Sequence, residues 1–264
     1  MSIKGMLTGL RVFLQFDNWP TLLLNRTLDR KTGLVVYRKD GLEILIDHRG
    51  GDQNGTRACL TTDMYQRYLP KIDRRGPLRI LDLGANGGGF PLLLRLSNID
   101  LARVVCVEMN RPTWLRLLVN LETNLGEKAT GLNAAVSGMP ADSEILLEPS
   151  RGGTGLSVDR NRADSSQPHV TVRTTTLEAL YEQYFGGHDI DICKIDIEGE
   201  EYEVLGSSSD RVLQKIRNLI IEFHDPARTP ACVSRLLRLG FTEITGQGNA
   251  ATGEATEVRA FSRD

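Results

Sequence analysis

Ile80-Leu81-Asp82-Leu83-Gly84-Ala85-Asn86-Gly87-Gly88-Gly89 is the stretch that decides the fold. An apolar run of strand character enters a glycine-rich turn, and Pro91 to Leu96 then reads as a helix, with Pro91 suited to its first turn. Glycines there let the chain bend sharply and let a ligand approach the main chain. A dinucleotide fingerprint wants G-x-G-x-x-G. Asn86 stands at its second glycine position, which disfavours a pyrophosphate cradle and with it a nicotinamide-dependent oxidoreductase. Asp82, two residues before Gly84, instead suits a cationic cofactor bearing an amino group.

Outward from this turn, strands and helices alternate. Arg103 to Val107 reads as a second strand, Thr113 to Leu125 as a helix and Thr130 to Val136 as a third strand. Glu144 to Leu147 and Val170 to Thr174 read as an excursion around a polar loop, Ser150 to Gln167. Thr176 can cap a helix over Leu177 to Phe185. Ile190 to Ile195 and Asn218 to Phe223 are further core strands. Ala231 to Leu239 is helical up to Gly240, and Phe241 to Thr245 with Glu257 to Phe261 reads as a closing hairpin. Such alternation predicts an α/β, Rossmann-like domain with a mostly parallel sheet and helices on both faces.

Upstream, residues 1–75 read as an extension or cap and 76–264 as the main domain. Two β-rich runs flank Lys39-Asp40-Gly41, a hairpin signal. Arg49 to Thr56 is a loop, and Asp63 to Leu69 reads as a helix stopped by Pro70. Met1 to Phe16 reads as an amphipathic helix; Arg11 interrupts any run long enough for a signal peptide. No stable membrane insertion is expected. The extension could form a lid, a homodimer contact or a docking surface.

The 264 residues carry a net charge of −2, with 40% hydrophobic and 25% charged residues, an ordinary globular balance. A nucleic-acid partner is disfavoured, because such binders more often carry a basic face. Cys59, Cys106, Cys193 and Cys232 lack metal-ligand spacing, so a reducing, cytoplasmic setting without disulfides is expected.

Strand ends carry the candidate chemistry, because open α/β sheets bind ligands at their carboxyl ends. Glu108, after the second strand, is placed to accept hydrogen bonds from two ribose hydroxyls. Asn133 and Ala134 end the third strand, where an adenine ring would be held. Asp196 ends the fourth, and Glu222 and His224 the fifth.

These motifs resemble the FkbM-type methyltransferases. Asp82-Leu83-Gly84-Ala85-Asn86-Gly87-Gly88 is similar to that family's glycine motif, with Gly84, Asn86 and Gly88 at matching positions. Asn133-Ala134-Ala135-Val136-Ser137 resembles its third-strand signature. Lys194-Ile195-Asp196-Ile197-Glu198-Gly199-Glu200-Glu201-Tyr202-Glu203-Val204-Leu205, followed by Ile221-Glu222-Phe223-His224, is the most specific block. The resemblance spans roughly residues 60 to 245 and implies a seven-stranded class I domain with S-adenosylmethionine as donor. It also implies O-methylation of a hydroxyl on a sugar, polyketide or related small metabolite. The extra glycines Gly87 and Gly89 depart from the pattern, and the first 60 residues match only loosely. Arg151 to Leu156 falls where the family often has a small-residue loop near the acceptor.

An alcohol holds its proton tightly near neutral pH, so a base within hydrogen-bond reach must take it. His224 is the preferred base here, with Glu222 and Glu198 as competitors. Asp196 could hold the cofactor's amino group or steer the acceptor. Asp196, Glu222 and His224 could instead hold a divalent metal such as Mg²⁺, which would lower the hydroxyl's pKa. Glu200 and Glu203 read as solvated residues at a helix start, and Glu201 is open between that and a buried pair. Lys194 could pair with one of these acids. Tyr65 could reach over the cofactor or merely pack. A nucleic-acid methyltransferase is the alternative function. A flipped base would favour an aromatic platform after the fourth strand, where Asp196-Ile197-Glu198-Gly199 stands instead. A non-catalytic module on the same fold is opposed by the acids in both halves.

Overall fold

The computed structural model describes residues 10–28, 33–72, 76–147, 170–244 and 257–263. The polar loop Ser150 to Gln167, with Arg151 to Leu156, and His169 lie outside the described residues, as does most of the predicted N-terminal helix. Among the described residues no helix is long and apolar enough to cross a membrane.

A seven-stranded sheet runs in the order β11-β12-β10-β9-β3-β4-β5. Its strands are β3 (Leu78–Leu83), β4 (Leu101–Val107), β5 (Ala129–Leu132), β9 (Ile190–Ile195), β10 (Ile216–Phe223), β11 (Thr242–Ile244) and β12 (Glu257–Ser262). β12 runs antiparallel to both its neighbours, closing the predicted hairpin; the pairs among β10, β9, β3, β4 and β5 are parallel. Strand order therefore reverses between β3 and β9, and the crevice outside that point is where such sheets bind ligands. Side chains alternate across the pleat. Ile80, Val104, Cys106, Ile192 and Ile220 enter one hydrophobic cluster, while Leu81, Val105, Cys193, Leu219 and Ile221 enter the other. Both faces are thus covered, which is why these strands read as near-continuous apolar runs.

The helices between them are α3 (Gly89–Leu96), α4 (Arg111–Leu125), α5 (Leu177–Tyr184), α6 (Glu201–Ser207), α7 (Asp210–Leu213) and α8 (Thr229–Arg238), following α1 (Trp19–Leu28) and α2 (Thr56–Thr61). Thr176 caps α5 by accepting the Ala179 N–H at 3.1 Å. The third strand is shorter than expected. β5 stops at Leu132, and β6 (Ala135–Val136) joins β7 (Glu144–Leu147) and β8 (Val170–Thr175) in a separate three-stranded sheet. The predicted helix at 63–69 is instead a 3₁₀ turn, Gln66–Lys71, with Pro70 inside it.

Upstream, β1 (Leu34–Lys39) and β2 (Leu42–Asp47) form the predicted hairpin; Asp40 and Gly41 take φ +48° and +82°, as a two-residue turn requires. A two-stranded sheet has two open edges, and asparagine side chains cover both. The Asn18 amide donates to Val36 O and accepts from Arg38 N. Asn120 and Asn124 of α4 do the same for Leu45 and Glu43. The Asn120 amide also donates to Gly87 O at 2.8 Å, so the hairpin is tied to the glycine turn. Phe13, Tyr37, Ile44 and Tyr65 share a hydrophobic cluster with Ile80 and Phe90.

Candidate active site

The glycine turn is built by backbone constraint. Gly84 has φ +74°, and a Cβ there would lie 1.7 Å from Asp196 O. Asn86 takes φ +48°. Its Oδ1 accepts from Gly87 N at 2.9 Å and from the Thr56 hydroxyl at 2.8 Å, and that hydroxyl oxygen accepts a second Gly87 N–H contact at 2.8 Å. Asn86 N donates to Glu108 Oε2 at 3.0 Å, and Asn110 N to Oε1 at 2.7 Å. Burial raises the Glu108 pKa to about 7, although both backbone N–H groups oppose it.

A cleft of about 240 Å³ opens above this turn. Gly84, Asn86 and Glu108 line it together with the apolar Val107, Met109, Ala134, Ala135 and Val136, and so do Asp196, Ile197, Glu198, Glu200 and Glu222. Asn54, Gly55, Cys59, Met64 and Tyr65 close it from the extension. Asn86 and Glu108 therefore face one cavity, as the sequence predicts.

Three expected cofactor contacts are corrected. Asp82 is fully buried below the turn, ion-paired with Lys194 Nζ at 3.2 Å, and does not line the cleft. Strand alternation turns it under the floor. Gly88 faces Leu117 and Leu121 and serves helix packing. The Asn133 amide donates to Glu108 O and Met109 O at 2.9 Å, so it braces the loop after β4 rather than facing the slot.

Lys194 is buried beneath the glycine turn and does not line the cleft. Its Nζ donates to Gly84 O at 3.0 Å and stands 3.2 Å from Asp82 and 3.4 Å from Asp196. Burial works against its charge, but the two carboxylates more than offset this and hold its pKa above the ordinary lysine range. Lys194 thus pairs with Asp82 and Asp196, which corrects the expectation of a partner among the acids of the 198–203 block.

The reacting end gathers the predicted acids. His224 Nε2 lies 3.9 Å from Asp196, 3.6 Å from Glu198 and 4.0 Å from Glu222. Its Nδ1 is 3.1 Å from Glu201 Oε1, and Glu201 is fully buried, also accepting from His224 N and Gly199 N. The buried pair is thus the reading of Glu201 that holds. Glu198 sits at φ +53°, and burial followed by the Asp196 charge raises its pKa. Burial pulls the His224 pKa down; the hydrogen bond to Glu201 and the charges of Glu201, Asp196 and Glu198 reverse this and bring it to about 9. Surroundings that favour the charged imidazole make it a poorer proton acceptor, and Glu198 and Glu222 line the cleft where His224 does not, so the geometry favours the carboxylates over the preferred His224 as base. Ligand atoms of Asp196, Glu198 and His224 lie within 4.8 Å of one another and could hold a divalent cation; this set replaces Glu222 of the expected trio with Glu198.

Two features escaped sequence reading. Arg116 of α4 grips Asp52 through two bonds of 2.6 and 2.7 Å, fixing the loop that carries Asn54 and Gly55. Thr56 braces Asn86. Their only signal was a polar, glycine-rich loop at 49–56. In the same extension His48 Nε2 and the Tyr37 hydroxyl are 2.9 Å apart.

Solved structures resemble the chain at low identity. A methyltransferase FkbM from Methylobacillus flagellatus KT is 15% identical, with TM-score 0.47 over 70% of this chain and 43% of that one. This chain thus matches less than half the length of that protein. An rRNA methylase from Streptococcus thermophilus is 9% identical, with TM-score 0.45 over 77% and 95%. TrmK from M. capricolum, in complex with S-adenosylhomocysteine, is 14% identical, with TM-score 0.47 over 78% and 70%. No curated protein matches. The profile of the methyltransferase FkbM domain matches residues 82–254, from Asp82 through the whole reacting block and most of the chain. The chain belongs to the FkbM methyltransferase family.

Proposed function

We propose that the chain transfers a methyl group from S-adenosylmethionine to a hydroxyl of a small metabolite, of the sugar or polyketide kind. The observation that carries this reading is one cleft with two chemically different ends: Glu108 and an apolar slot at one, and Asp196, Glu198 and Glu222 converging at the other. The residues present fit the cofactor. Glu108 would accept from the ribose hydroxyls, the slot of Val107, Met109, Ala134 and Val136 would take the adenine, and the acids would face the cationic end. When bound, S-adenosylmethionine supplies a methyl group on a positively charged sulfur.

The chain's own part is orientation and proton removal. The walls from the extension and the sheet hold an acceptor hydroxyl in line, a large share of the rate in such displacements. Glu222 or Glu198 takes its proton as the new bond forms. Among the described residues no lysine or arginine lines the cleft, so nothing there favours a phosphate backbone over an uncharged acceptor. A second reading adds a divalent cation at Asp196, Glu198 and His224, favoured by their convergence; calorimetric titration with Mg²⁺ tests it.

The test is incubation with methyl-labelled S-adenosylmethionine and a panel of monosaccharides, macrolactone alcohols and total RNA. Label in an ether on a small acceptor is expected. Label confined to RNA, or to nitrogen or carbon, overturns the reading.

A further inference from the structure

The reacting end is closed by a side chain from outside the matched family domain. Tyr65 precedes residue 82, where that match begins. It is 2% exposed, and its ring packs edge-on to Phe90 with centroids 5.6 Å apart. Its hydroxyl lies 3.1 Å from Asp196 Oδ2 and 3.3 Å from Glu222 Oε2. The two acids come from neighbouring strands, Asp196 just after β9 and Glu222 near the end of β10.

We propose that Tyr65 is a positioning residue for methyl transfer: its hydroxyl joins Asp196 to Glu222 and fixes Glu222 as the carboxylate that receives the acceptor's proton. This rests on the function proposed above. Asp196 Oδ2 is a fixed post, because Lys194 Nζ holds it at 3.4 Å from below. The phenol ring is equally fixed, wedged in the cluster that joins the extension to the sheet. A hydroxyl between two such supports orients Glu222 Oε2 toward Asp196. Glu222 Oε2 then rests on Tyr65, while Oε1 lies on the side of His224 Nε2 at 4.0 Å. Glu198 has no such brace from Tyr65 and stands on a loop residue of positive φ. In the step, the acceptor's O–H bond breaks and its proton passes to Glu222. Its oxygen pair bonds the methyl carbon, and the former carbon–sulfur pair stays on sulfur.

The experiment is Tyr65→Phe in the full chain, which keeps the ring and removes the hydroxyl. Turnover is measured with the panel compound methylated fastest, S-adenosylhomocysteine binding by calorimetry, and both proteins are crystallised with S-adenosylhomocysteine. Expected are a kcat lower by about tenfold to a hundredfold, acceptor KM and S-adenosylhomocysteine Kd within about twofold, and Glu222 turned away from Asp196. Such a split separates positioning from general packing, which would move Kd and KM as well. An unchanged kcat, or Glu222 unmoved in the crystal, overturns the proposal. If Tyr65→Phe does not fold, Glu222→Gln decides, because full-rate turnover there removes the group Tyr65 is said to position. If no panel alcohol is methylated, the proposed function fails, while the crystal comparison still decides the Tyr65–Glu222 contact.

Discussion

Gly84→Ala tests the geometry on which the whole site stands. Gly84 holds φ +74° at the point where β3 meets the loop after β9, and an added Cβ would lie 1.7 Å from Asp196 O, 2.8 Å from Asp196 C and 3.2 Å from Ile197 Cγ2. The left-handed conformation alone costs alanine about 1–2 kcal/mol. Real Cβ contacts do not fall below 3.0 Å, so two backbone segments must part by at least 1.3 Å, from 1.7 Å to 3.0 Å. Overpacking of that kind costs about 1–3 kcal/mol, and backbone cannot swing aside as a side chain can, so the upper end applies. The sum is about 3–5 kcal/mol, a large part of the roughly 5–15 kcal/mol that holds a typical protein. Gly41→Ala is the control, because Gly41 has φ +82° with nothing within 4 Å of its added Cβ. It should lose only the conformational part, about 1–2 kcal/mol. Urea unfolding followed by tryptophan fluorescence measures both, with equal slopes required for the comparison. At about 2–4 °C per kcal/mol, Gly84→Ala should also melt about 6–20 °C lower. If Gly84→Ala loses no more than Gly41→Ala, the close approach of the turn to Asp196 is not real and the reasoning fails.

Two further outcomes follow from buried charge. Glu108 is shifted up to about 7 from 4.5, so its folded pKa exceeds its unfolded one; its stabilising contribution is present below about pH 4.5 and is lost as pH rises through about 7. Ribose binding wants the ionised form, so S-adenosylhomocysteine affinity should rise about tenfold from about pH 6 to pH 8 and the rise should vanish in Glu108→Gln; a flat calorimetric profile for the native protein would refute this. Arg116→Met leaves the Asp52 carboxylate, 0% exposed, without its two charged bonds. Unfolding stability should fall by about 3–5 kcal/mol, and a loss below about 1 kcal/mol would show that the clamp does not hold the loop.

The fold was legible because its strands are buried on both faces and its turns carry glycine. Ile80 to Leu83, Val104 to Val107, Ile190 to Ile195 and Leu219 to Phe223 announce themselves as apolar runs. Glu108, Asp196, Glu222 and His224 were legible as polar residues at the ends of those runs. What failed was side-chain direction. Asp82 is one residue from the strand end, and a period of two sends its carboxylate below the sheet, where Lys194 meets it. Asn133 and Gly88 failed likewise, since a sequence does not say whether a polar or small residue faces a ligand or its own backbone. The His224 base failed for want of distance, because only folding shows three carboxylates and Glu201 around one imidazole. Of the wall from the extension only Tyr65 was named; Asn54, Gly55, Cys59 and Met64 were not, because they lie 18 or more positions before Asp82 and carry no periodic signal.

The two ends of the cleft are not independent parts. Lys194 donates to Gly84 O in the cofactor turn and pairs with Asp196 at the reacting end, while Tyr65 carries the link from Asp196 to Glu222. A single buried cation thus spans adjacent strands β3 and β9, at the point where the sheet reverses its order. Its charge is stabilised there by Asp82 together with Asp196, so the acid that misses the cofactor still shapes the site. A shift of the glycine turn must displace the Lys194 ammonium, and with it the post on which the Asp196 carboxylate rests. Cofactor grip and acceptor alignment are therefore set by the same few ångströms of backbone, which is why the turn tolerates no Cβ at Gly84 although it tolerates a whole asparagine side chain two residues later.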